Sequence, residues 1–264
     1  MVGFIRKSAL AVVESIEGAG RFTRFSWAAM TGLLVERPKR RVLVPLLMEI
    51  GIHSVPVVLA TGAFVGMVLA VQIYAQLFKL GAETSSGPII NIAIVSELGP
   101  VLAAVVLAGR VGGAMSAELG TMKVTEQLDA LKTLGADPIN YLVTPRFLAC
   151  LFLVPLLTMY ADAIGVVGGY VMCTKFFGIS EYYYWLQTQQ FIQRWDVFVG
   201  IIKAVFFGGA IGLICCYKGF AAGQGAKGVG RATTEAFVAA FVAILVSNFF
   251  MSLFFNTLYD HLYL

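Results

Sequence analysis

Two ionisable residues lie inside long apolar runs of this sequence. Residues 88–108 have membrane-spanning length and carry Glu97 near their middle, and the apolar run 197–217 carries Lys203. An ionisable group at bilayer depth costs roughly 2.5–3.5 kcal/mol on insertion scales, so it persists where it faces a cavity or finds a partner. The two residues therefore predict a polar spot within an apolar region. It would either receive the polar end of a ligand or be a plain ion pair that joins two helices.

No group of residues in the sequence suggests bond chemistry. The nucleotide-binding pattern GxxxxGK[ST] does not occur, and no nucleophile stands in a recognisable relation to a base. The cysteines lie in or beside apolar runs without metal-ligand spacing, at positions 150, 173, 215 and 216. We interpret them as small apolar fillers. The sequence favours a transport role over an enzyme, with no catalytic residues, metal or cofactor expected in this chain.

The composition is that of a membrane protein. The 264 residues are 59% hydrophobic and 13% charged, whereas soluble domains carry about 25% charge. Apolar segments predict an all-α polytopic fold with about five transmembrane helices, near 47–78, 88–110, 147–173, 196–217 and 235–259. Pro56, Gly62 and Gly66 suggest that the first of them is kinked or re-entrant. The net charge of +4 is no sign of nucleic-acid binding, because the basic residues cluster at helix ends and in loops.

The N-terminal region, residues 1–46, differs from the transmembrane part at 47–264. Basic and apolar residues mix through 4–35, which predicts an amphipathic helix in the headgroup plane, broken near Gly18 and Gly20. A short first span is the alternative. Fifteen of the 19 Lys and Arg residues fall within 1–48, 110–146 and 218–233. The positive-inside rule then places these segments and the N-terminus in the cytoplasm.

The connector 111–146 is longer than a simple turn between two spans. It predicts a helix at about 122–134, with Thr125 as its N-cap and Gly135 as its C-cap. Leu128 and Leu131 would give that helix an apolar edge. Its other faces would carry charges, among them Glu126 and Asp129. A short helix parallel to the membrane would suit docking of an ATPase, and an ordinary amphipathic loop helix is the alternative.

Several motifs occur in collinear order across about residues 45–260. They are TGAFVGMVL at 61–69, SELGPV at 96–101, AGRVGGAMSAE at 108–118, TEQLDAL at 125–131, Asp137-Pro138, Pro145-Arg146, Pro155-Leu-Leu157 and GRATT at 230–234. With these motifs the chain resembles the MlaE/YrbE-type permease subunits of ABC transporters that work with MCE-domain proteins.

The resemblance implies a bacterial inner-membrane transporter. It implies a homodimer of permeases, separate ABC ATPase chains that bind the ATP, and an MCE-domain protein, hexameric, on the far side. The transported molecule would be phospholipid, moved between the inner membrane and the MCE-protein shuttle to maintain outer-membrane lipid asymmetry. An MCE-associated importer of sterols or other hydrophobic small molecules and an ion-coupled secondary transporter are the alternatives.

The resemblance also implies which residues line a lipid pocket: Leu69, Leu77, Glu97 and Lys203. Better-known members of the family have an arginine where this chain has Ser96, and a tyrosine where it has Leu80. The first change removes a cation beside Glu97 and leaves Lys203 as its candidate partner. Asp162, inside the third apolar run, is interpreted either as a structural residue at a helix interface or as a local wet site.

Overall fold

The computed structural model describes the backbone of residues 2–35 and 40–263 and the side chains of 16–33 and 41–262. This part of the chain is helical throughout, with short connections. Five helical segments are long and apolar enough to cross a membrane: Arg41–Phe78, Glu83–Val124, Ile139–Phe176, Arg194–Phe220 and Gly225–Leu262. We number them as the first to fifth spans. The predicted five spans are confirmed, and each helix extends past the apolar run that predicted it.

A short turn interrupts the helix of the first span. It consists of the helices Arg40–Ile52 and Val55–Phe78, joined at His53 and Ser54. Pro56 lies in the first turn of the second helix, where its missing N–H removes no helical hydrogen bond. Gly62 and Gly66 lie inside a regular helix and cause no kink.

π-helical turns interrupt the second and third spans. In the second, the turns Ile94–Leu98 and Ala108–Gly112 separate the helices Ser86–Ala93, Gly99–Leu107 and Gly113–Val124, after a 3₁₀ turn at Glu83–Ser85. In the third, the turns Ile139–Val143 and Met172–Phe176 flank the helix Thr144–Val171. A π turn adds a residue to the helix and so changes which side chains share a face downstream of it. Glu97 and Arg110 each lie in such a turn.

The third span packs between the first and fourth spans through small residues. Gly66 of the first span lies directly against the backbone of Gly165 in the third, and Gly208 of the fourth lies against the carbonyl of Cys150. Close backbone approach of this kind is what GxxxG spacing permits. Gly66, Gly165 and Gly208 each belong to a GxxxG pair, and these contacts show that they serve packing within the chain. The four cysteines are buried and free, as predicted for small apolar fillers.

The N-terminal helix, Val2–Val35, runs without interruption through Gly18 and Gly20. The predicted break there is wrong, since a glycine weakens a helix by about 1 kcal/mol without ending it. Near the C-terminal end of this helix, Ala29 is buried and its carbonyl accepts a hydrogen bond from Thr144 Oγ1 at 3.3 Å. Residues 37–39 of the basic run lie outside the described residues, and the location of this helix at the membrane surface stays a prediction.

The connector after the second span folds differently from the predicted helix at 122–134. The second span continues to Val124, and the N–H of Thr125 bonds to the carbonyl of Thr121, so Thr125 closes one helix instead of capping the next. Glu126 has a φ of 59°, and a separate linker helix covers Gln127–Thr133. Gly135, with a φ of 78°, ends it as predicted.

Burial of Leu128 accounts for the break before the linker helix. Leu128 is buried in an apolar cluster with Leu119 and Leu142. A straight continuation of the second span would carry Leu128 away from this cluster, so the chain turns at Thr125 and Glu126. A further helix, Glu181–Phe191, is rich in aromatic residues and lies between the third and fourth spans.

We expect Gly66→Ala to lower the stability of the protein. The added methyl would meet the backbone of Gly165, which cannot move aside without separating the two spans. Overpacking of this kind costs about 1–3 kcal/mol, so the melting temperature of the purified protein should fall. Gly20→Ala is the matched control, because nothing lies within 4 Å of its added methyl. Equal melting temperatures for the two variants would contradict this packing.

Candidate functional site

The structure brings Glu97 and Lys203 together. Lys203 Nζ lies 2.6 Å from Glu97 Oε1, and the Lys203 side chain is fully buried. The same ammonium donates to the carbonyl of Ser96 at 3.1 Å and to Ser252 Oγ at 2.9 Å. A lysine ammonium has three N–H donors, so these three acceptors use all of them. Lys203 therefore has no donor left for a ligand.

Pro100 explains why the carbonyl of Ser96 is available to Lys203. In an α-helix that carbonyl would accept from the N–H four residues later, and proline has no N–H. The chain forms the π turn Ile94–Leu98 at this point, and the N–H of Gly99 bonds to the carbonyl of Ile94. The sequence Ser-Glu-Leu-Gly-Pro at 96–100 thus supplies both the Glu97 carboxylate and the Ser96 carbonyl to one buried ammonium.

The fifth span completes the site. Ser252 Oγ donates to Glu97 at 2.9 and 3.0 Å from the two carboxylate oxygens, and Asn248 Nδ2 lies 3.4 Å from Oε2. We call Ser96, Glu97, Lys203, Asn248 and Ser252 the polar cluster. Sequence reasoning missed Asn248 and Ser252. The sequence feature that could have identified them is their spacing of four residues. This spacing places two polar side chains on one face of an apolar helix.

Glu97 and Lys203 differ in how far the folded chain covers them. The Glu97 side chain is 42% exposed, whereas that of Lys203 is 0% exposed. The pair is neutral overall, and the open side of the site belongs to Glu97, whose polar side-chain atoms are both carboxylate oxygens. Such a surface accepts hydrogen bonds from N–H and O–H groups and disfavours a bare phosphate. Glu97 is the member of the pair that can contact a ligand. Lys203 holds the Glu97 side chain in position.

The two leucines of the predicted pocket lie outside the polar cluster. Leu69 packs against an apolar cluster that contains Ala70, Ile90 and Ile94. Leu77 is half-buried near the end of the first span. Around them the first span exposes a long apolar face, which includes Phe64, Val68 and Val71.

Asp162 lies at a helix interface. Its carboxylate packs directly against Gly99 of the second span, where even one added methyl group would clash with it. Its Oδ1 atom is buried and has no hydrogen-bond partner among the described residues. Asp162 therefore abuts the π turn that carries Glu97 without joining the polar cluster.

The residues predicted to contact an ATPase separate into two groups. Leu128 is buried and Leu131 is half-buried, and both pack with the chain's own apolar cluster. Glu126 and Asp129 are exposed, as is Leu134 at the end of the linker helix, with 82% of its surface accessible. The free surface of this segment therefore contains the charged residues and Leu134, and Leu128 is not part of it.

Comparison with known proteins places the chain in a family. The family model described as Permease MlaE matches residues 10–254. The chain belongs to the MlaE permease family. A probable ABC transporter permease protein of Rickettsia typhi is 42% identical over 226 residues, which cover 86% of this chain and 87% of that protein.

Two further relatives carry more specific names. The intermembrane phospholipid transport system permease protein MlaE of Haemophilus influenzae is 34% identical over 243 residues, which cover 90% of this chain and 92% of that protein. The chloroplastic protein TRIGALACTOSYLDIACYLGLYCEROL 1 of Arabidopsis thaliana is 40% identical over 188 residues, which cover 71% of this chain and 54% of that protein.

We expect Lys203→Met to destabilise the protein more than Lys203→Met combined with Glu97→Gln. The single change leaves a carboxylate in an apolar region without its cation. Breaking a fully buried pair costs about 3–5 kcal/mol, and the partial exposure of Glu97 should reduce this to about 2–3 kcal/mol. The double change removes the unpaired charge, so it should recover most of the loss. Melting temperatures of the two variants test this, and a double variant that melts no higher than the single one would contradict it.

Proposed function

We propose that this protein is the permease subunit of an ABC transporter that moves phospholipid between the bacterial inner membrane and an MCE-domain shuttle protein. The observation that carries the proposal is Glu97: a half-exposed carboxylate within a membrane-spanning helix, fixed by a buried lysine with no free donor. A structural ion pair has no need to leave one partner open. An open acceptor in an apolar setting suits the hydrogen-bond donors of a lipid headgroup.

Family membership supports the transport role. The Haemophilus influenzae relative is named as a phospholipid transport permease, and the Rickettsia typhi relative as a probable ABC permease. The present sequence contains no GxxxxGK[ST] motif, so ATP would be bound and hydrolysed by a separate ATPase chain. In this proposal the N-terminus is cytoplasmic and the MCE-domain protein, a hexamer, lies on the opposite side. Transport by such a system would maintain the lipid asymmetry of the outer membrane.

A homodimer would complete the lipid path. Glu97 opens toward the outside of a single chain, and the apolar face around Leu69 and Leu77 also lacks a cover from the described residues. Facing copies would enclose both surfaces in one cavity. The headgroup would then contact Glu97 while the acyl chains lie along the apolar residues of the first span.

We expect Glu97→Gln to reduce ATP-driven lipid transfer by about tenfold, because a charged acceptor forms stronger hydrogen bonds than a neutral one. Transfer of fluorescent phospholipid from proteoliposomes that contain the assembled transporter measures this. Asp260→Asn is the control, since it removes an exposed carboxylate from the fifth span outside the polar cluster. Normal transfer by Glu97→Gln would contradict the assignment of Glu97 to the lipid path.

We also propose that the linker helix docks on the ATPase through its exposed residues. Glu126 and Asp129 would set the orientation of the contact, and Leu134 would supply apolar area. Leu128 and Leu131 would hold the helix on the permease, which gives it the rigidity needed to transmit force. The four residues that the sequence analysis named therefore have two different roles. Glu126 and Asp129 contact the ATPase, and Leu128 and Leu131 anchor the linker helix.

We therefore expect Leu134→Asp to weaken co-purification with the ATPase without lowering the melting temperature of the permease. Leu128→Ala should instead lower the melting temperature of the permease itself. Truncation of a buried leucine to alanine costs about 2–5 kcal/mol of stability. If Leu134→Asp retains the ATPase as well as the unmodified chain does, the linker helix is not the docking element.

A further inference from the structure

A cavity of about 360 Å³ lies between the first and second spans, away from the polar cluster. Its walls come from the first helix of the first span and from the segment that begins with the second π turn. The residues that line it include Leu46, Glu49, Ile50, Arg110, Met115 and Glu118. The cavity therefore combines apolar walls with one guanidinium and two carboxylates.

Arg110 is held in place by a buried hydroxyl. The π turn Ala108–Gly112 carries it, and its Nη1 donates to Ser54 Oγ at 2.5 Å. Ser54 is fully buried at the bend of the first span and donates in turn to the carbonyl of Ile50. Among the described residues no carboxylate lies within 4 Å of Arg110. Most of its five N–H donors are therefore not used by the described residues.

The carboxylates of the cavity do not neutralise Arg110. Glu118 pairs with the buried Arg146 at 2.8 Å. Glu49 forms no ion pair with any described side chain. The cavity thus keeps a guanidinium and a free carboxylate on its walls without joining them. A ligand that carries an anionic and a cationic group would satisfy both.

The depth of the cavity fits the membrane surface. Arg110 follows Glu83, where the second span begins, by 27 residues, or roughly 40 Å of helix. The hydrocarbon core is about 30 Å thick, so Arg110 reaches the headgroup region at the opposite end of the span. Along the same helix it lies roughly 20 Å from Glu97. The two sites are therefore separate.

We infer that this cavity binds the headgroup of a zwitterionic phospholipid, with the phosphate on Arg110 and the ammonium near Glu49. Ile50 and Met115 are buried residues that contribute apolar wall beside Leu46, against which the first carbons of the acyl chains would lie. An anionic headgroup without an ammonium would leave Glu49 unpaired, and a simple cation would leave Arg110 unpaired. The inference rests on the proposed function in that it adds a second lipid site, closer to the membrane surface than Glu97.

Photolabelling of the assembled transporter in nanodiscs tests the inference. The probe is a phosphatidylethanolamine with a diazirine near the glycerol and an unmodified headgroup. We expect labelled peptides within 46–50 and 110–118, and a loss of about tenfold on Arg110→Gln. Lys123→Gln is the matched control, because it removes an exposed cation from the same helix outside the cavity. Equal labelling in the two variants would overturn the inference.

Glu49→Gln provides a second test that does not depend on whether Arg110→Gln folds. Glu49 is exposed, so its neutral variant should fold, and it should lose the preference for phosphatidylethanolamine over a diazirine phosphatidylglycerol. No such preference in the unmodified protein would overturn the zwitterion assignment.

The same samples distinguish this inference from the proposed function. If the unmodified protein transfers lipid but is not labelled in 46–50 and 110–118, only the second site is wrong. If it is labelled there but Glu97→Gln transfers lipid normally, the second site stands and the Glu97 path is wrong.

Discussion

The requirement to satisfy the ammonium of Lys203 within an apolar region governs the arrangement of the site. An unpaired cation at this depth would cost several kcal/mol, and the second and fifth spans together supply three acceptors for it. Pro100 frees one backbone carbonyl, Glu97 supplies the counter-charge, and the fifth span supplies a hydroxyl. Because all three donors are used, the geometry of Glu97 is fixed before any ligand arrives. Preorganisation of this kind lowers the entropic cost of binding.

Small-residue packing holds these segments at the distances that the polar cluster needs. Gly66 allows the first span to approach the third, and Gly208 allows the fourth span to approach the third. Gly99 allows the second span to lie directly against Asp162. Membrane helices gain little from apolar burial between them, so such close backbone contact is a principal source of their association. The polar cluster thus depends on glycines that never touch it.

The sequence predicted the parts of the fold that follow from local composition. Long apolar runs predicted the five spans, and the cost of charge in lipid predicted that Glu97 and Lys203 would form a polar spot, either for a ligand or as an ion pair. The π turns were not predictable from periodicity. One added residue changes which side chains share a face of the helix, but it leaves the composition of the segment unchanged. Asn248 and Ser252 were missed for a related reason: single polar residues in an apolar helix are common, and only the tertiary contact distinguishes them. The break at Glu126 likewise follows from where Leu128 is buried, which local propensity does not encode.

In the proposed lipid path, the Glu97 carboxylate contacts the transported lipid, and Lys203 only holds that carboxylate in position. The most direct measurement is lipid transfer by the charge-exchanged protein, Glu97→Lys combined with Lys203→Glu, in proteoliposomes. We expect the exchange to restore the melting temperature relative to either single change but to leave lipid transfer at least about tenfold below normal, because the exposed acceptor has become a donor. Restoration of lipid transfer together with stability would show that the pair only joins helices, which contradicts the account.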